Sequence, residues 1–181
     1  MLMDLFTAFT SQGELDYEGA MIAKIRYQKM GDTSGKETFT NEIVKSNEMM
    51  MVLKCTGYQG ETPVEALTIY LIMNAEVKAP EALASDVDMG ELWYTFSKEE
   101  IADFSHTTGD TNSIHLTDHP VVQGLFLLRK VAETYDKDTT YKKIDMKFHY
   151  PVYGENPVYI KRDGNRMAAY SDNALCFETS I

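Results

Sequence analysis

Residues 120–135 limit the fold more than any other stretch, because they are apolar on most sides. Pro120 suits the first turn of a helix there, with Asp118 or His119 near its cap. Val121, Val122, Leu125, Phe126, Leu128, Val131 and Ala132 then face nearly every direction around it. A surface helix needs a polar side, so a helix without one has to be wrapped by other elements. The rest of the chain offers strands for that purpose. Period-two alternation marks residues 20–28, and further strands are expected at 37–44, 48–58 and 64–73. Short turns link these four into an antiparallel meander, with Pro63 just ahead of the fourth, where its missing amide breaks no ladder bond. After the helix, alternation returns at 143–150, and strands at 157–162, 167–170 and 174–181 follow, with Asp163-Gly164 as a hairpin turn. The predicted class is α+β: a strongly curved antiparallel sheet around one long buried helix.

The chain has 181 residues, room for one domain or two compact related halves. Residues 77–92 carry Pro80, several acids and no sustained apolar period, which predicts a linker and a boundary near residue 90. The halves are then 1–90 and 91–181. A short helix is expected at 1–9. Ser97-Lys98-Glu99-Glu100 forms a capping box for another, with Ile101 and Phe104 on its buried side.

Net charge is −11, which argues against nucleic acid as a partner, since backbone binding needs a dense basic face. The best apolar run, 67–73, has strand length and no membrane-spanning length. The first residues lack the basic region of a signal peptide, and Cys55 and Cys176 lie far apart in apolar runs. A cytoplasmic protein with two buried, reduced thiols is expected.

Chemistry concentrates between the two helices of the second half. Residues 107–118 are rich in Thr, Gly, Asp and Asn and lack helical pattern. Loops on a rigid scaffold are where catalytic side chains gather. Asp110 and His115 stand five residues apart across a turn, so a carboxylate and an imidazole can share one water molecule. Gly124, near the start of the long helix, offers a backbone amide unobstructed by a Cβ. It can serve equally as a close-packing glycine. His106 and His119 with Asp118 add possible metal donors, but their spacing matches no common ligand motif, and no metal is expected.

The segment 104–124 resembles the hydratase motif of MaoC-like dehydratases and (R)-specific enoyl-CoA hydratases. The matching residues are Gly109-Asp110-Thr111-Asn112-Ser113-Ile114-His115 and Val121-Val122-Gln123-Gly124. Residues 146–154, with Phe148, Pro151, Val152 and Gly154, resemble that family's following strand, the glycine coming one residue early. The resemblance covers about residues 95–160. It implies a hot-dog fold, with the N-terminal half as a degenerate second hot-dog, and interconversion of trans-2-enoyl and (R)-3-hydroxyacyl thioesters. Asp110 and His115 would activate the water, and the Gly124 amide would form the oxyanion hole. Asn112, Val122, Gln123 and Leu125 would contact the substrate. The partner would be a coenzyme A or acyl carrier protein thioester, with no cofactor beyond that carrier and with a homodimer as one assembly. Four departures stand out. Ser113 replaces a proline, Gln123 a histidine and Ala132 a serine, and the stretch from His115 to Gly124 is much shorter than the family's. A thioesterase of the same fold, or a non-catalytic thioester binder, remains a rival. Arg129, Lys130, Lys142, Lys143 and Lys147 can each be a phosphate contact or plain solvent-facing charge. Met49-Met50-Met51 is read as strand and core filler.

Overall fold

The computed structural model describes residues 2–11, 20–73, 83–84, 87–136 and 141–181. The first region runs α1 (Leu2–Thr10), β1 (Met21–Lys29), β2 (Thr38–Ser46), β3 (Met50–Gln59) and β4 (Thr62–Ile72). The second runs β5 (Glu91–Thr95), α2 (Lys98–Thr108), a 3-10 turn at Ser113–His115, α3 (Gly124–Asp136), β6 (Lys143–Phe148), β7 (Pro157–Asp163), β8 (Arg166–Ser171) and β9 (Ala174–Ser180). All nine strands join one sheet in the order β2-β3-β4-β1-β6-β9-β8-β7-β5. Every pairing is antiparallel, and the two regions meet edge to edge at β1 and β6, with Ile25 opposite Met146.

Alternation decides which side of this sheet is inner. Ile25 and Tyr27 on β1, and Ile144 and Met146 on β6, are buried, while their neighbours Lys24, Arg26, Lys143 and Lys147 lie on the other face. Against the inner face lies α3, whose Leu125, Phe126, Leu127, Leu128, Val131, Ala132 and Tyr135 are all buried. Its first residue touches β1 and β6, while Thr134 near its end accepts a hydrogen bond from Trp93 on β5. The helix therefore spans from the middle of the sheet to its far edge. Each large apolar side chain so enclosed contributes roughly 1.5–3 kcal/mol of transfer free energy. Phe126 stacks on Phe104 of α2 with centroids 4.7 Å apart, and Phe104 meets Phe6 of α1 at 6.2 Å, so one core serves both regions.

Several expectations need correction. The long helix starts at Gly124 instead of Pro120, and neither Asp118 nor His119 caps it. The reason is a competing pairing. Val121 bridges Tyr153, the Val122 amide donates to Val152 O at 2.8 Å, and the Gly154 amide donates to Pro120 O at 2.8 Å. Residues 120–122 are held extended by those bonds. The first four strands are not a simple meander, since β1 pairs with β4 and leaves β2 at the sheet's edge. Pro63 lies inside β4, at the irregularity opposite Gly57 and Tyr58, where the ladder tolerates a missing donor. Of the expected linker, 77–82 and 85–86 fall outside the described residues, and its end belongs to β5, a strand too short for alternation to reveal. Met49 is exposed at the β2–β3 turn and is no core filler. No described helix is long and apolar enough to cross a membrane.

Candidate active site

The polar loop is built from the end of α2. Its start carries the expected capping box: Ser97 Oγ accepts from the Glu100 amide at 3.2 Å, and Glu100 Oε2 accepts from the Ser97 amide at 3.0 Å. Its end is closed by Gly109 at φ 75°, a left-handed position that suits glycine, whose amide donates to Ser105 O at 2.8 Å. The next amide, that of Asp110, donates to the same carbonyl at 3.1 Å and turns the chain away from the helix axis.

Two short-range bonds then place the imidazole. Asp110 Oδ1 accepts from the Asn112 amide at 3.1 Å, closing a tight turn. Asn112 Oδ1 accepts from the Ile114 amide at 3.4 Å and caps the 3-10 turn that ends on His115. His115 is buried, and its Nδ1 lies 2.6 Å from Val121 O. A carbonyl only accepts, so Nδ1 carries the proton and donates it, leaving Nε2 turned to Asp110. Nε2 and Asp110 Oδ2 are 3.5 Å apart. That separation is too long for a strong direct bond, so both atoms keep capacity for a third partner. A water between them has a carboxylate on one side and an imidazole on the other.

The start of α3 supplies the complementary charge. The first bond of the helix runs from the Leu127 amide to Gln123 O at 3.0 Å, so the amides of Gly124, Leu125 and Phe126 have no intrahelical acceptor. The Gln123 side chain does not cap them. It is buried, and its Nε2 donates to Ile101 O at 2.9 Å and to Ser105 Oγ at 2.7 Å, tying α3 to α2. A Cβ on Gly124 would lie 2.8 Å from Ile22 Cδ1 and 3.4 Å from both Ile25 Cδ1 and Phe148 Cζ. Glycine is therefore needed here for close packing on the seam between the regions, and the same closeness brings its amide to the cavity wall.

A cavity of about 720 Å³ collects these groups. Asp110, Asn112, His115, Val122, Gln123, Gly124 and Leu125 all line it. The structure thus brings every residue named from the motif to one place. Asn112 reaches it with its polar atoms already engaged, Nδ2 donating to Ala20 O at 3.4 Å. Sequence reasoning missed the opposite wall, which Phe9, Ile22 and Leu71 supply from the N-terminal region, and His149 at the rim. Apolar strand residues carry no mark distinguishing a cavity wall from solid core. His106 and His119 are exposed, and no group of three potential metal donors occurs among the described residues. Arg129 and Lys130 lie away from the cavity, the first paired with Glu133 at 2.8 Å and the second over the Tyr94 ring at 4.1 Å.

A curved antiparallel sheet enclosing a central helix, with a polar loop at that helix's start, is the hot-dog architecture, and this chain has it. The solved structures it resembles include MaoC-like dehydratases. HtdX from Mycobacterium tuberculosis superposes with TM-score 0.68 at 10% identity, over 99% of this chain and 84% of that one. A MaoC-like dehydratase from Phytophthora capsici gives 0.63 at 12%, over 94% and 71%. An acyl-ACP thioesterase from Bacteroides thetaiotaomicron gives 0.53 at 6%, over 88% and 74%. No protein-family model matches the sequence, and no curated protein does so significantly.

Proposed function

We propose that this chain is a hydro-lyase that adds water to trans-2-enoyl thioesters, or removes it from (R)-3-hydroxyacyl thioesters. The observation that carries the reading is the pairing of His115 Nε2 and Asp110 Oδ2 at 3.5 Å on the wall of a mostly apolar cavity that also reaches the open amides of α3. In hydration, the shared water bonds through its oxygen to C3 of the enoyl chain. One proton stays in the new hydroxyl, and the other passes through the Asp110–His115 pair to C2. Negative charge that gathers on the thioester oxygen is met by the Gly124 amide and the positive end of α3. The acyl chain packs against Val122, Leu125 and the apolar wall from the N-terminal region. In this reading residues 1–90 are a second, degenerate hot-dog half that builds the wall and leaves the chemistry to residues 91–181. The protein works without a metal or organic cofactor, on a soluble carrier thioester in the cytoplasm.

The test is loss of enoyl-thioester ultraviolet absorbance with crotonyl-CoA and a longer trans-2-enoyl-CoA. Asp110→Asn keeps the acceptor for the Asn112 amide but loses the charge, and it should cut turnover by about 10³-fold, as should His115→Ala. Rates equal to wild type in either folded variant would remove the proposal. Thioester hydrolysis is the second reading, favoured by the likeness to an acyl-ACP thioesterase; it releases free thiol, which hydration does not.

A further inference from the structure

The outer face of the sheet holds a second depression, of about 450 Å³, crossing β1, β6, β9, β8 and β7. Lys24, Lys147, Lys161 and Arg166 line it, together with Asp145, Asp163 and Glu178. Arg26 and Lys143 flank it through their contacts with Asp145. This face therefore gathers six of the chain's 17 Lys and Arg, but only three of its 28 Asp and Glu. On a chain of net charge −11 the local sign is reversed.

The pairings show that this charge is not used up within the sheet. Lys24 stands directly opposite Lys147 across β1 and β6, and like charges in that position cost stability. Asp145 is already shared by Arg26 at 2.8 Å, Lys24 at 3.9 Å and Lys143. Desolvation pushes its carboxyl up, but the bonds from Arg26 and Lys143 prevail and hold it below its ordinary value, so it stays charged and committed. Glu178 is engaged by His149 at 2.8 Å, and Lys161 by Asp88 at 3.0 Å. Among the described residues, neither Lys147 nor Arg166 forms an ion pair.

The depression also adjoins the mouth of the Asp110–His115 cavity. On β1, Ala23 lines the cavity and Lys24 the depression. On β6, Lys147 lines the depression, while Phe148 and the following His149 line the cavity. On β9 the corresponding residues are Leu175 and Glu178. Steps of one to three residues along a strand cover about 3–10 Å.

We propose that this depression binds the 3′-phosphoadenosine diphosphate of free coenzyme A, with the pantetheine arm passing the rim at His149 into the cavity. The proposal deepens the thioester reading and rests on it for the identity of the arm. Charge complementarity selects the occupant. The nucleotide brings a 3′-phosphate and a diphosphate to a cationic site of matching scale. An acyl carrier protein brings one phosphodiester on an acidic body, which the rest of this acidic chain repels.

Titration calorimetry with adenosine 3′,5′-bisphosphate reads the depression without any thioester. Binding is expected, weaker by at least tenfold for 5′-AMP, and weaker by at least tenfold in Lys147→Glu/Arg166→Glu, with Lys54→Glu on the distant β3 as an unaffected control. The same double variant should raise KM for crotonyl-CoA tenfold and leave turnover of crotonyl-pantetheine unchanged. Bisphosphate binding that charge reversal abolishes supports the nucleotide site even if no thioester is hydrated, in which case the hydration reading alone fails. No bisphosphate binding, binding indifferent to charge reversal, or an effect confined to a carrier-protein thioester overturns it.

Discussion

The two regions on either side of the β1–β6 seam handle buried polar groups in opposite ways. In the N-terminal region, Glu65 is fully buried, accepts from Tyr27 OH at 2.9 Å through one oxygen and meets Lys36 through the other. The carboxylate's capacity is spent inside the protein. In the C-terminal region, His115 and Asp110 are also largely enclosed, but they stand 3.5 Å apart, and the Gly124 amide has no helical acceptor. Those groups are held in place by bonds made at other atoms: Nδ1 of His115, Oδ1 of Asp110 and the carbonyl of Gln123. A closed polar cluster gives structure. A site needs polar atoms that are positioned and still unspent.

That contrast separates stability from activity. Glu65→Ala removes the carboxylate that Lys36 meets in the core, and should cost about 3–5 kcal/mol in urea unfolding with little change in kcat. A large loss of kcat in still-folded protein would show that the N-terminal cluster serves the site. Gly124→Val sets a branched side chain against Ile22 and Phe148, and should cost about 1–3 kcal/mol through overpacking. It should lower kcat as well, because it moves the amide; an intact kcat would detach that amide from the chemistry.

Smaller effects sharpen the picture. Ser97→Ala should cost about 1 kcal/mol by removing the cap of α2. Its partner Glu100 titrates below the ordinary carboxylate value: burial raises it, but bonds from Tyr94 and the Ser97 amide outweigh that. A depressed folded value means its stabilising contribution is present above the unfolded value and lost as pH falls through the folded one. The stability gap between wild type and Glu100→Gln should therefore be full at pH 7 and close below about pH 4. Last, Cys55 and Cys176 are fully buried and pushed up to about 12. Neither should react with a thiol reagent at pH 8 until the protein unfolds, and both should react afterwards.

Much of this was legible in the sequence where a local rule acts alone. Ser97 and Glu100 announced the cap of α2, Asp163-Gly164 the β7–β8 turn, and alternation the positions of β1, β6 and β7. The motif from Gly109 to His115 led to residues that share one cavity. What escaped were features decided by distant partners. The pairing of residues 120–122 with 152–154 shortened α3, and the seating of β1 beside β4 reordered the first strands. The cavity's far wall, from Phe9, Ile22 and Leu71, was illegible because a strand residue beside a cavity has the same pattern as one in solid core.

The most direct test of the central claim is the mass of the product formed from a trans-2-enoyl-CoA by wild type and by Asp110→Asn. The account predicts an intact thioester heavier by one water, of (R) configuration at C3, formed by wild type and nearly absent with the variant. Free coenzyme A with the enoic acid, or a hydrated product formed equally by both proteins, would contradict it.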